Sequence, residues 1–241
     1  MSDIFLSVVM PAYNEEKKIR EALRRVEAFL AHKSYHWELL VVNDGSQDGT
    51  EKIINECIRE NQNSRTRLLN SPVNKGKGAS VKMGVLEARG ERVLVTDADL
   101  SSPIKEVDKL MRVLDQGFDG VIGSRAIREE GCDVQQSFKR WVSGRVFNFF
   151  VRAVALRGFR DTQCGFKCFT HQAARLLFGK QTLEGFAFDV EILCLARAHG
   201  CKIKEVPVMW KEGRDSRVNL FKDSISMLGD LFVLRKRYGR S

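Results

Sequence analysis

The 241-residue chain contains no run of about 18 apolar residues, the length that a bilayer-spanning helix needs. It has no basic leader followed by an apolar stretch: the run Ile4–Met10 begins almost at once, so no secretory signal peptide is expected. Its six cysteines, at 57, 132, 164, 168, 194 and 201, lack the paired spacing of a metal knuckle. Cys164 and Cys168 are four apart without a second pair, and reduced thiols in a cytosolic setting are the expectation. Repeats, low-complexity stretches and obvious linkers are also missing. What remains is one domain, or one domain with an appended subdomain, long enough to bury a sizeable core.

Charge is present but uneven. Residues 1–130 carry 20 Lys/Arg against 21 Asp/Glu, a net of −1, whereas residues 131–241 carry 20 against 10, a net of +10. A basic half suits nucleic acid, an anionic membrane surface or plain solvation. The nucleic-acid reading is disfavoured, because the basic half carries apolar segments and no recognition motif.

The first half alternates between short apolar runs and helical periodicity. Ile4–Met10, Trp37–Val42 and Val93–Thr96 read as strands, and Phe118–Gly123 as another. Between them Ile19, Ala22, Leu23, Val26, Phe29 and Leu30 recur at helical spacing. Thr50 is a candidate cap for a helix carrying Ile53, Ile54, Cys57 and Ile58. Lys77–Ala88 is a third helix, and Ser101-Ser102-Pro103 opens a fourth. Such alternation predicts an α/β fold with a mainly parallel central sheet flanked by helices.

In a parallel sheet the loops after the strands gather on one edge, where ligands bind. Asp97-Ala98-Asp99 closes one apolar run, and two carboxylates one residue apart suit a hard divalent cation that shares substrate phosphates. Asp44 lies among Asn43, Gly45 and Gly49. It can bind a base or a ribose, or it can be ordinary turn chemistry. Lys75-Gly76-Lys77-Gly78 lacks P-loop spacing, but it is a basic loop at a helix N-terminus, suited to phosphate or to solvent. Arg125 ends a strand and suits a phosphate or a salt bridge. Asp189 and Glu191 read equally as functional carboxylates or as structural ion-pair partners.

Two apolar segments in the basic half are too interrupted to span a membrane. Phe138–Leu156 is apolar nearly all round but carries Arg140, Arg145 and Arg152. Val218–Leu234 is apolar on about half its wheel, and Arg235, Lys236, Arg237 and Arg240 follow it. Packing on the domain and docking on a membrane interface are both open for them.

Taken together, Pro11-Ala12-Tyr13-Asn14-Glu15, Asn43-Asp44-Gly45-Ser46, Lys75–Gly78 and Asp97-Ala98-Asp99 make the chain resemble family 2 glycosyltransferases of the GT-A fold. Asp161-Thr162-Gln163-Cys164-Gly165-Phe166-Lys167, Phe188-Asp189-Val190-Glu191-Ile192 and Trp210-Lys211-Glu212-Gly213 are similar to dolichyl- or polyprenyl-phosphate β-glucosyltransferases. Polyprenyl-phosphate mannosyltransferases are the next resemblance.

The resemblance implies a GT-A, Rossmann-like nucleotide-sugar-binding domain. Residues 1–130 would be the donor- and metal-binding half and 131–241 the acceptor-binding, membrane-proximal half. It implies Mg²⁺ or Mn²⁺ on Asp97 and Asp99. Pro11, Ala12, Tyr13, Glu15, Asp44, Lys77 and Asp97 would line the nucleotide sugar. Arg125, Arg217 and Lys167 would meet the acceptor phosphate, and Asp99, Arg125 and Asp189 would be the catalytic group. Ser101 stands where mannose-transferring relatives often have Gln, so no third metal ligand is assigned. The implied reaction is inverting transfer of glucose from UDP-glucose to a polyprenyl phosphate. GDP-mannose as donor, or a non-catalytic nucleotide-sugar-binding subunit, are the alternatives. The expected partners are an anionic membrane surface on the cytosolic face and either a membrane-embedded protein or a second copy of the chain.

Overall fold

A computed structural model describes residues 3–61, 65–135, 137, 151, 156, 158–212 and 220–239. Seven strands form one sheet: β1 (Leu6–Ala12), β2 (Trp37–Asp44), β3 (Thr66–Ser71), β4 (Arg92–Val95), β5 (Gly120–Ser124), β7 (Lys167–Thr170) and β8 (Ile203–Pro207). Their order across the sheet is β3-β2-β1-β4-β7-β5-β8. A separate parallel ribbon pairs β6 (Val134–Gln135) with β9 (Trp210–Lys211).

All pairings in the large sheet are parallel except those of β7, which runs against both β4 and β5. The chain lays β2 and β3 outward on one side of β1, then returns to place β4 on the other. The crevice at the carboxyl ends of β1 and β4 is therefore a topological switch point, where open α/β sheets bind ligands. Asp97 and Asp99 follow β4 directly. The antiparallel strand β7 starts where β4 ends, pairing Lys167 with Val95. Residues 161–167 thus arrive at the same edge from the opposite direction.

Strand alternation explains the two-sided core. Leu6, Val8 and Met10 face one layer with Leu39, Val41 and Leu94, while Val9, Leu40, Val42, Val93 and Val95 face the other. The first layer is covered by α1 (Ile19–Ala31), α2 (Thr50–Glu60) and α4 (Val107–Leu114). The second is covered by α3 (Lys77–Glu87), α5 (His171–Lys180) and α6 (Phe188–Ala198). Thr50 is the first residue of α2 rather than its cap, and Asp48 supplies the cap-like contact, accepting from Thr50 N at 3.0 Å.

The outer side of α6 packs on α7 (Leu220–Tyr238) through Val190, Leu193 and Cys194 against Met227, Leu231 and Leu234. Part of the apolar stripe of α7 is therefore core. Phe232 and Val233 face outward, 62% and 41% exposed. Most of Phe138–Leu156 lies outside the described residues, but Val151 and Leu156 are buried in the same cluster. No helix of the described residues is long and apolar enough to cross a membrane.

Helix α3 lies close on the sheet because Gly84 has no side chain. A Cβ there would stand 2.4 Å from Val9 Cγ1 and 2.9 Å from Val42 Cγ2, both on stiff β-branched residues. Gly84→Ala is expected to lower unfolding free energy by about 1–3 kcal/mol, the usual cost of overpacking a core. Denaturant titration checks this, and an unchanged midpoint would contradict the packing argument.

Candidate active site

Three loops at the switch point are tied to one another by short hydrogen bonds. Asn14, in the left-handed region at φ 54°, donates its N–H to Ser46 Oγ at 2.8 Å and accepts from Gln47 N at 2.7 Å. Glu15 N donates to Thr50 Oγ1 at 2.7 Å, and Glu16 Oε2 accepts from Gly49 N at 2.8 Å. The Pro11–Glu15 segment after β1 is thereby fixed to the Asp44–Thr50 turn after β2. Asp44, buried at the end of β2, accepts from Lys75 N at 3.0 Å and Gly76 N at 2.9 Å. Its carboxylate draws in the third loop, where Gly76 adopts φ 102°. Of the predicted donor residues Ala12 is buried and Tyr13 is 36% exposed at this rim.

Around the end of β4 the charges interlock. Asp97 Oδ1 meets Lys77 Nζ at 2.5 Å. Arg125 grips Asp161 with two guanidinium nitrogens, Nε at 2.7 Å and Nη2 at 2.8 Å, and also donates its backbone N–H at 2.9 Å. Lys167 Nζ meets Asp189 Oδ1 and Cys164 O, each at 2.5 Å. Counting Lys77, Arg125 and Lys167 against Asp97, Asp99, Asp161 and Asp189, the cluster carries a net charge of −1.

Burial alone would neutralise these groups, but their partners overrule it. Burial lowers Lys77, yet Asp97 and Asp189 push it up to about 12. Burial raises Asp97 and Asp161, yet Lys77 and Arg125 respectively hold them below the usual carboxylate range. Arg125 is raised, its burial outweighed by Asp161. Lys77, Asp97, Arg125 and Asp161 are thus held in their charged forms over the whole neutral range.

Asp99 has a different environment. It accepts only from Ser101, through N at 2.9 Å and Oγ at 2.8 Å, and has no ion-pair partner among the described residues. Leu100, buried at φ 48°, makes the turn that aims it. A bulky residue in the left-handed region costs about 1 kcal/mol or more and is a feature of functional sites. Ser101 thus fixes the orientation of the Asp99 carboxylate.

Among the described residues no three His, Cys, Asp or Glu side chains gather into an all-protein metal site. Mg²⁺ needs none, since it binds through one or two carboxylates, waters and substrate phosphates. Two Ser101 donors leave lone pairs on Asp99, so Asp99 and Asp97 fit a divalent cation shared with a diphosphate. Gly165 lets Asp97 sit where it does: a Cβ there would fall 2.2 Å from Asp97 Oδ2.

The structure thus brings Lys77, Asp97, Asp99, Arg125, Lys167 and Asp189 to one edge, with Pro11–Glu15 and Asp44 beside them. Arg217 lies outside the described residues. Lys167 is 2% exposed, with its ammonium turned to Asp189 and the Cys164 carbonyl. Sequence reasoning gave no role to Asp161, Gly165, Asn14 or Ser46. Asp161 and Gly165 lie inside a string singled out for other reasons, and their partners are distant in sequence. A cavity of about 320 Å³ opens beside Asp44, Lys75, Met83 and Thr182, and a second of about 400 Å³ beside Asn43, Ser46 and Asn74.

A mostly parallel sheet whose switch-point edge carries an Asp-x-Asp turn and a basic loop is the architecture of a nucleotide-sugar transferase. Residues 7–177 match the profile of Glycosyl transferase family 2, and the chain belongs to that family. It is 37% identical to dolichyl-phosphate β-glucosyltransferase of Dictyostelium discoideum, over 99% of this chain and 76% of the relative. For the enzymes of the same name from Drosophila melanogaster and Saccharomyces cerevisiae the identities are 40% and 36%, over 97% and 98% of this chain and 75% of each relative. The GT-A fold recurs in the crystal structure of glucosyl-3-phosphoglycerate synthase from Mycobacterium tuberculosis in complex with Mn²⁺, UDP-glucose and phosphoglyceric acid. That match has a TM-score of 0.71 at 19% identity, covering 99% of this chain and 81% of that one. The complex of the same synthase with Mg²⁺ and UDP also has a TM-score of 0.71, at 20% identity over 99% and 80% of the two chains.

Lys167→Met is expected to destabilise the fold by about 3–5 kcal/mol, because it leaves Asp189 buried and unpaired. The double variant Lys167→Met/Asp189→Leu should recover much of that loss. Urea unfolding of both would show it, and equal stability of the single variant and wild type would contradict a fully desolvated pair.

Proposed function

We propose that this chain transfers glucose from UDP-glucose to dolichyl or another polyprenyl phosphate, with inversion, giving a β-linked lipid-phosphate sugar. The observation that carries the reading is near-full-length similarity to enzymes named dolichyl-phosphate β-glucosyltransferase. The charged edge supports it. A lipid phosphate is already anionic and is its own nucleophile, so no protein base is required. A phosphate oxygen forms the bond to the anomeric carbon, the bond from that carbon to the UDP oxygen breaks, and UDP leaves with the electron pair.

Both reactants are anions, and this chain's residues have to bring them together. Asp44 shapes the loop beside the nucleoside, and Pro11, Ala12, Tyr13 and Glu15 form the facing wall. Lys77 supplies positive charge to the donor diphosphate. Asp97 and Asp99 would hold Mg²⁺ or Mn²⁺, which would supply Lewis-acid stabilisation of the leaving diphosphate. Arg125 keeps N–H donors beyond those engaged by Asp161 and, with Arg217, takes the acceptor phosphate. Asp189 and Lys167 form the buried charge pair that supports this edge. In this reading residues 1–130 bind the donor and 131–241 serve the acceptor, with the basic half against an anionic cytosolic membrane face, alone or beside a membrane-embedded partner.

The test is transfer from a panel of UDP-glucose, UDP-galactose, GDP-mannose and UDP-N-acetylglucosamine to polyprenyl phosphate, with wild type and Asp99→Asn. Glucose transfer by wild type, lost at least about a hundredfold in the variant, is the expected outcome for a group of this kind. Turnover with GDP-mannose instead would reassign the sugar, and binding without turnover would make the chain a nucleotide-sugar-binding subunit.

The pH profile follows from the charges. Asp97 and Asp161, held low, stay ionised above the ordinary carboxylate range, and Lys77 and Arg125, held high, stay protonated at alkaline pH. The acceptor's second ionisation, near pH of about 6 for a phosphate monoester, falls in the accessible window. The parameter kcat/KM should therefore rise through that pH and stay level to pH of about 9. A descending limb near neutrality would assign an essential protonated group to the enzyme.

A further inference from the structure

Glu191 takes no part in the machinery above, yet its carboxylate is fully buried on α6. Among the described residues its cationic partner is Arg237 of α7, at 3.9 Å. A buried carboxylate is costly unless donors satisfy it. Three do: Thr182 N at 2.9 Å, Thr182 Oγ1 at 2.7 Å and Leu183 N at 2.7 Å. Glu191 therefore pins a strap, residues 181–184, between α5 and α6.

That strap lies on the first turn of α3. Gln181 Nε2 donates to Gly78 O at 2.9 Å and to Leu183 O at 2.8 Å, and the Gln181 carbonyl accepts from Lys82 Nζ at 2.7 Å. Ala79 N donates to Glu184 O at 3.1 Å. Backbone meets backbone without side chains between: a Cβ on Gly76 would stand 2.6 Å from Glu184 O, and one on Gly78 2.7 Å from Leu183 O. On the other side Asp44 holds Lys75 N and Gly76 N. The loop is clamped between Asp44 and the strap, and the strap touches it at Gly76, Gly78, Ala79 and Lys82. Those residues flank Lys77, whose ammonium reaches Asp97 at 2.5 Å.

We propose that Glu191 is a positioning residue for the donor, acting through the 181–184 strap to set the loop that aims Lys77. This rests on the reading of Lys77 as the diphosphate-side cation. A carboxylate that served stability alone would have no energetic link to Lys77. One that positions Lys77 must lose its influence on the donor once Lys77 is gone.

The experiment is a double-mutant cycle on the full chain, read by calorimetric binding of UDP-glucose in the presence of Mn²⁺, with thermal unfolding recorded alongside. Glu191→Ala and Lys77→Met should each weaken binding by about tenfold, within the range measured for residues coupled by contact. The double variant should bind no worse than Lys77→Met, and Glu191→Gln, which keeps an acceptor for the strap amides, should restore most of the affinity. Multiplicative losses in the double variant would overturn the proposal while leaving the donor reading intact. Unweakened binding by Lys77→Met would overturn both. If Glu191→Ala does not fold, Gln181→Leu replaces it in the cycle, removing the donors to Gly78 and Leu183 with Glu191 in place. Non-multiplicative losses then support the proposal, and multiplicative ones overturn it.

Discussion

An ammonium group in the middle of a seven-stranded sheet cannot stay there without a counter-charge. Lys167 stands in β7 between β4 and β5, and moving its charge out of water costs several kcal/mol before any partner is counted. Asp189 answers it, from the first turn of α6. Much else follows from that pair. It sets how α6 lies against the sheet, and so where Glu191, two residues on, meets the 181–184 strap. It also anchors the start of β7, and with it Gly165, against whose bare Cα the carboxylate of Asp97 rests.

The loops of the site that results are cross-linked by hydrogen bonds in the substrate-free chain. They are bonded to each other instead of to solvent: Asn14 to the Ser46–Gln47 turn, Asp44 to Lys75 and Gly76, Arg125 to Asp161. Preorganised charge is what bringing two phosphates together demands, because water would otherwise have to be reorganised around each of them during the reaction. Leu100 in the left-handed region and the buried Lys167–Asp189 pair are the costs. The large two-sided core, with its parallel strands buried on both faces, supplies the stability that offsets them.

The first half of this arrangement was legible in the sequence because its signals are local. Apolar alternation identified β1, β2 and β4, Gly-bearing turns marked their ends, and Asp97-Ala98-Asp99 announced itself within three residues. In the second half the apolar stripe of Val218–Leu234 foretold a helix, and the site residues were legible only as similarity. Arg125 and Asp161 are separated by 36 positions, Lys167 and Asp189 by 22, and no periodicity links such partners. One physical signal was available: Phe166-Lys167-Cys168-Phe169 puts a lysine into an apolar stretch, and a strand so placed requires a buried acid somewhere else in the chain. The direction of β7 had no counterpart in the sequence at all. A four-residue strand carries no mark of whether its neighbours run with it or against it.

That direction bears on how the protein is made. β4 and β5 are consecutive strands in the chain but do not touch in the sheet, since β7 lies between them. During synthesis, at about 5–20 residues per second, the ribosome delivers both long before the strand that joins them. Until then β4 has one edge without its partner, and β5 has neither of its neighbours, β7 and β8. Such edges invite pairing with other chains. The lysine of β7 also brings a charge whose partner, Asp189, lies 22 residues further along the chain. Closing the sheet and completing the site therefore both wait on residues of the second half of the chain.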